Sequence, residues 1–192
     1  GISSTSRGWL PNSRARSKCR NWLMEKQSVE AIIQALNQAE VRYLIVGGLA
    51  VVAHGYVRFT ADMDLFLNLE ARNLQRALAA FSRLGYRPRA PVRIEEFADT
   101  QLRQRWISKK GMKVFSLSSS EHPATEIDLF AEAPFDFDIA YASAVRLEVS
   151  PGTIATFVDL DRLISLKSLA ARPQDLQDIE QLKALRKGFK DG

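Results

Sequence analysis

Two aspartates spaced two apart in an apolar run, Asp62-Met63-Asp64-Leu65-Phe66-Leu67, constrain this chain more than any other feature. On a strand the alternation sends both carboxylates to one face while Met63 and Leu65 enter the core. Carboxylates held side by side repel one another, and protonation or a cation must relieve that. Paired hard oxygen ligands suit Mg2+, which takes one or two carboxylates together with substrate phosphates. Gly47-Gly48, which closes the short apolar run Tyr43–Val46, is separated from Asp62 by thirteen residues. A Gly-Gly turn opening a helix offers backbone N–H groups that approach phosphate with no side chain in the way.

A two-metal site needs a third carboxylate. The run Thr125-Glu126-Ile127-Asp128-Leu129-Phe130 supplies Asp128, flanked by apolar Ile127 and Leu129. Glu126 shares its face and competes for the role.

The rest of the chain reads as helices mixed with short strands. Ser28 is positioned to cap a first helix with Val29, Ile32, Ile33 and Leu36 on one face. A short helix over Leu49–His54 ends at Gly55. Met63–Leu67 is a strand, and Asn68 is positioned to cap a helix carrying Leu74, Leu78, Phe81 and Leu84 up to Gly85. Residues 87–100 read as a loop. Arg105–Lys109 and Met112–Leu117 flank Lys110-Gly111 and predict a β-hairpin. Glu126–Phe130 is a strand. Leu147–Ser150 and Thr153–Val158 flank the Pro151-Gly152 turn, and helices over Asp161–Ala171 and Gln174–Lys187 close the chain. The expected fold class is α+β (mixed α/β): a small mixed sheet with helices on one side and two C-terminal helices.

Charge must be divided before it is used. The chain has 27 Lys and Arg against 22 Asp and Glu. Five of those bases and no acid fall in residues 1–23, so the remainder is neutral and its charge does not argue for nucleic-acid binding. Residues 1–23 are Ser- and Arg-rich without periodicity, and are expected to be a disordered or foreign extension, with Met24 the natural start of a single domain over 24–192 whose helical end covers 158–190. No apolar run is long enough to span a bilayer. The single Cys19 fits a reducing compartment, hence a cytoplasmic location.

The pattern Gly-Gly, thirteen residues, Asp-x-Asp, then a later strand with Asp128 resembles the DNA polymerase beta-type nucleotidyltransferase superfamily. The run from Gly47 to Asp64, with Arg58 and Thr60 inside it, is similar to the minimal nucleotidyltransferases and the abortive-infection-type toxins, as is Lys167-Ser168-Leu169-Ala170-Ala171-Arg172-Pro173-Gln174-Asp175-Leu176-Gln177-Asp178-Ile179. The resemblance implies transfer of a nucleoside monophosphate from a nucleoside triphosphate, ATP among the candidates, to an acceptor hydroxyl. Asp62, Asp64 and Asp128 would be the catalytic and Mg2+- or Mn2+-binding residues, and Gly47, Gly48, Arg58, Thr60 and Lys167 would contact the nucleotide. The acceptor would be an RNA such as tRNA, a partner protein or a small molecule, and the toxin branches imply a toxin–antitoxin system. One departure stands out: many members have Gly-Ser where this chain has Gly47-Gly48, and the serine hydroxyl would touch phosphate.

Each residue also has a plainer reading. Arg58 would steady the carboxylates through a salt bridge, Lys167 would lie on a solvated helix face, and Asp175 and Asp178 would complement a helix dipole. His54 would satisfy carbonyls at a helix end. The Trp106 hairpin with Phe135, Phe137 and Tyr141 would stack bases or simply fill the core. The locally basic segment 87–105 would face an RNA acceptor or be solvated. For the whole chain, a non-catalytic nucleotide- or RNA-binding protein on the same scaffold is the alternative.

Overall fold

A computed structural model describes the backbone of residues 13–132 and 134–188, and the side chains of 26–132 and 134–187. Seven strands form one mixed sheet in the order β3-β4-β5-β2-β1-β7-β6. They are β1 (Tyr43–Ile45), β2 (Met63–Leu67), β3 (Arg87–Pro88), β4 (Val114–Ser118), β5 (Ile127–Phe130), β6 (Val145–Ser150) and β7 (Thr153–Phe157). β2 runs antiparallel to β1 and parallel to β5, and β4 runs antiparallel to β5.

Alternation gives the central strands two unlike faces. Met63, Leu65, Leu67, Phe115, Leu117, Ile127 and Leu129 are buried on one. Helix α3 (Ala71–Arg83), a 3-10 turn (Ile94–Ala98) and helix α4 (Thr100–Lys110) close over it, bringing Leu74, Leu78, Phe81, Phe97 and Trp106 into the core. Phe97 and Trp106 stack on Phe115 at 4.9 and 5.8 Å. Val114, Ser116, Asp64, Asp128 and Phe130 take the other face, most of them only half-buried. Helices α6 (Leu160–Ala170) and α7 (Pro173–Gly188) stand at its margin. Among the described residues no helix is long and apolar enough to cross a membrane.

Several expectations change. Helix α1 (Ser13–Gln38) runs straight through Ser28, which caps nothing. Its buried hydroxyl lies 3.0 Å from His122 Nδ1, so its polar group is satisfied tertiarily and does not compete with the helix backbone. Residues 13–23, set apart in the sequence, belong to this helix, whereas residues 1–12 lie outside the described residues. The segment 87–100 carries β3 and the 3-10 turn, anchored by buried Ile94 and Phe97. The hairpin expected at Lys110-Gly111 is instead the end of α4. Asp99 Oδ1 accepts from Gln101 N and Leu102 N and starts that helix, Trp106 and Arg103 turn inward, and Gly111 ends it at φ +61°. A Gly after two lysines serves a helix C-terminus as well as a hairpin turn, and burial of Trp106 decides between them. Asn68 accepts from Glu70 N, turning the chain just before α3 without capping the helix itself. Helix α5 (Phe137–Ala142), capped by Asp136, was not anticipated.

Candidate active site

The sheet register builds the site. Asp64 on β2 and Asp128 on β5 are direct cross-strand partners, so their side chains leave the same face side by side. Asp62 stands one residue before β2 and is exposed. Burial, and then the charges of Asp128 and Asp62, push the Asp64 carboxyl up to about 6, although Lys167 and Arg172 pull it down. Asp62 is also raised, by burial and then by Asp128 and Glu126. Asp62 and Asp64 thus both feel the charge of Asp128, as like charges in a cleft do. Among the described residues, no three His, Cys, Asp or Glu side chains are gathered closely enough to ligate one ion as they stand. Glu126 is drawn toward the sheet edge by Arg89, whose Nη1 lies 2.9 Å from its Oε2. Asp128 is the β5 acid that lines the cleft.

The two glycines are explained by what they touch. Gly47 begins helix α2 (Gly47–Ala53) at φ +62°, and a Cβ there would lie 1.9 Å from Asp64 Oδ2. Only glycine lets the chain turn directly against that carboxylate. A Cβ on Gly48 would lie 2.2 Å from Thr60 Oγ1 and 3.1 Å from Arg58 Nη2. Position 48 is therefore small because the Thr60 hydroxyl fills the space where a serine side chain would start. His54 Nε2 lies 2.8 Å from Val158 O and ties the end of α2 to the chain just beyond β7.

A cleft of about 410 Å3 opens along this face, lined among others by Gly47, Asp64, Asp128, Phe130, Lys167 and Arg172. Its wall is an ion-pair network that sequence reasoning missed. Lys167 is buried, and its Nζ reaches Asp175 Oδ1 at 2.9 Å and Asp178 Oδ2 at 2.7 Å. Arg58 Nε lies 2.9 Å from Asp178 Oδ1 and its Nη2 donates to Oδ2 at 3.0 Å. Arg172 Nε donates to Asp175 Oδ2 at 2.7 Å. Arg58 thus steadies Asp178 rather than the sheet carboxylates, and Lys167 is not on a solvated face. Asp175 and Asp178 do more than complement a dipole. A signal was present: both share the i, i+3, i+7 face of α7 with buried Leu182.

The aromatic and basic readings are also revised. Trp106 is core. Phe135 packs on Phe66 at 5.1 Å, and the Phe137 and Tyr141 rings lie under the Arg42 guanidinium, with Arg146 also over Tyr141, so those faces are already covered. Arg103, in the basic segment, is buried and donates to Phe97 O at 2.8 Å.

The architecture matches known structures. The lincomycin-bound crystal structure of the lincosamide antibiotic adenylyltransferase LnuA aligns with a TM-score of 0.53 at 16% identity, over 80% of this chain and 93% of that one. The solution structure of the antibiotic-resistance factor ANT(2'')-Ia aligns at 0.51 and 16%, over 86% and 91%. An antigenic nucleotidyltransferase-like protein from Paracoccidioides brasiliensis aligns at 0.53 and 18%, over 84% and 76%. The fold is thus of the nucleotidyltransferase type. No protein-family model matches the sequence, and no curated protein matches it either.

Proposed function

We propose that this protein is a nucleotidyltransferase that moves a nucleoside monophosphate from a nucleoside triphosphate to an acceptor hydroxyl. One observation carries the reading: the Gly47 turn lies directly on Asp64, which is paired in register with Asp128 at the floor of an open cleft. The nucleotidyltransferase-type fold of the structural neighbours supports it.

The donor set is all carboxylate oxygen and carries mutual repulsion, which fits a hard divalent cation. Asp62, Asp64 and Asp128 would hold Mg2+ or Mn2+, which would supply charge neutralisation at the phosphates and acidify the acceptor hydroxyl. The chain's own residues do the positioning. Gly47 and Gly48 present backbone to the phosphates. The Thr60 hydroxyl takes the place of the serine hydroxyl that Gly48 lacks, Lys167 brings positive charge to the cleft wall, and Arg58, outside the cleft lining, braces that wall through Asp178. Asp128 takes the acceptor side. There the hydroxyl oxygen bonds to the α-phosphorus, its proton passes to solvent, and the bond to pyrophosphate breaks.

The acceptor is an RNA such as tRNA, a partner protein in a toxin–antitoxin setting, or a small molecule. LnuA and ANT(2'')-Ia are named for antibiotics, and they bring the last class into the test. Incubation with each labelled nucleoside triphosphate, Mg2+ and, separately, cell RNA, cell protein or small antibiotics should label one acceptor class. Loss of label in Asp64→Asn is expected. A non-catalytic nucleotide- or RNA-binding protein is the second reading. It is favoured by Arg58 and Lys167 already being bound to Asp178 and Asp175, and binding of nucleotide with no labelled product in any arm would establish it.

A further inference from the structure

Register places Ser116 of β4 directly opposite Asp128 of β5, and the Ser116 hydroxyl donates to Asp128 Oδ1 at 2.5 Å. Ser116, Asp128 and Asp64 therefore form a row across three adjacent strands on one face of the sheet. Arg89 extends it toward the edge, since Arg89 N donates to Ser116 O at 3.0 Å. Asp128 of β5 and Glu126, one residue before that strand, thus each have a fixed outer partner: Asp128 has Ser116, and Glu126 has the Arg89 guanidinium. The partners differ in what they leave behind. The guanidinium neutralises Glu126 and holds it near the edge. The hydroxyl leaves the charge of Asp128 intact and occupies one oxygen. Among the described residues Asp128 Oδ2 has no hydrogen-bond donor.

We infer that Ser116 is a positioning residue of the carboxylate centre: it fixes the orientation of Asp128 so that the free oxygen serves the cleft beside Asp64. The inference rests on the proposed nucleotidyltransferase reading. A hydroxyl suits the task because it is short and neutral and is anchored on a strand, so it restricts the carboxylate without discharging it. A lysine or arginine there would compete with a cation, and an alanine would leave Asp128 free to rotate.

The test titrates Mn2+ alone against wild type, Ser116→Ala and Ser116→Thr, reading the rise in melting temperature. Ser116→Ala should bind Mn2+ about tenfold more weakly, the lower end for loss of a partner that orients a metal ligand, and Ser116→Thr should restore most of the affinity. A second arm needs no metal: a double-mutant cycle of Ser116→Ala and Asp128→Ala on the urea midpoint, expected to be non-additive because each single variant removes the hydrogen bond. A Ser116→Ala protein with the wild-type Mn2+ response overturns the inference, as does an additive cycle. If wild type ignores Mn2+ while the cycle is coupled, the hydrogen bond exists but the carboxylate centre does not. That result overturns both the positioning role and the metal-dependent reading, whereas an additive cycle in a Mn2+-binding protein overturns only the former.

Discussion

Asp64 is half-buried and Asp175 fully buried, and both stand at the same cleft, yet their environments drive them in opposite directions. Asp64 faces Asp128 and Asp62, and its carboxyl is pushed up to about 6. Burial would raise Asp175 too, but hydrogen bonds from Arg172 and Lys167, and their charges, hold it at about 2. The sheet acids are repelling anions short of a counter-charge; the α7 acids are anions whose counter-charge comes from the protein itself. Burial is common to both, so it does not separate an acid left among like charges from one that joins two helices. The sign of the neighbours does.

The largest expected effect comes from stripping the paired cluster of its cation. Lys167→Met leaves Asp175 and Asp178 facing each other with less positive charge, and breaking a buried pair this way costs about 3–5 kcal/mol. Urea unfolding measures it. A cost near zero would mean that the α7 acids resemble the sheet acids after all.

Asp64→Asn should act the other way. Because the folded pKa is raised, the native state holds the Asp64 proton more tightly than the unfolded chain, and ionisation destabilises the fold as pH rises from about 4 to about 6. Removing the charge should stabilise the protein by up to about 3 kcal/mol at pH 7, with the gain vanishing below about pH 4. Urea midpoints of both proteins at the two pH values test this, and a pH-independent difference would contradict the repulsion.

A divalent cation should relieve the same repulsion from outside. Mn2+ at a hundredfold excess over its dissociation constant should stabilise wild type by about 2.7 kcal/mol by mass action, and Asp64→Asn by less. Equal responses in both proteins, read by thermal shift, would detach the cation from the sheet acids.

The smallest effect is the acid limb of the paired cluster. With its folded pKa depressed, Asp175 contributes stability that is present above about pH 4 and is lost as pH falls toward 2. Asp175→Asn should flatten that part of the stability profile while leaving the change between pH 4 and 6 in place.

Local pattern carried the chemistry-bearing elements. Strand period put Asp64 and Asp128 on strands, with Asp62 left one residue before its strand, the Gly-Gly pair marked the turn, and Pro173 opened the last helix. It failed at Arg105–Lys109, where the pattern predicts a strand and the chain forms helix α4, with Trp106 packed on Phe115 in the core.

The sequence by itself determined which strands bear carboxylates and which residues can tolerate a turn against them, because backbone period and glycine's freedom are properties of a few neighbouring residues. Tertiary structure alone decided what each charge faces. Arg58 meets Asp178 across 120 positions, Ser116 meets Asp128 across a strand pair, and Thr60 takes the space that Gly48 leaves. Electrostatic environment depends on distance in space, and distances between residues far apart in sequence exist only once the sheet has its register and the last two helices have packed beside it.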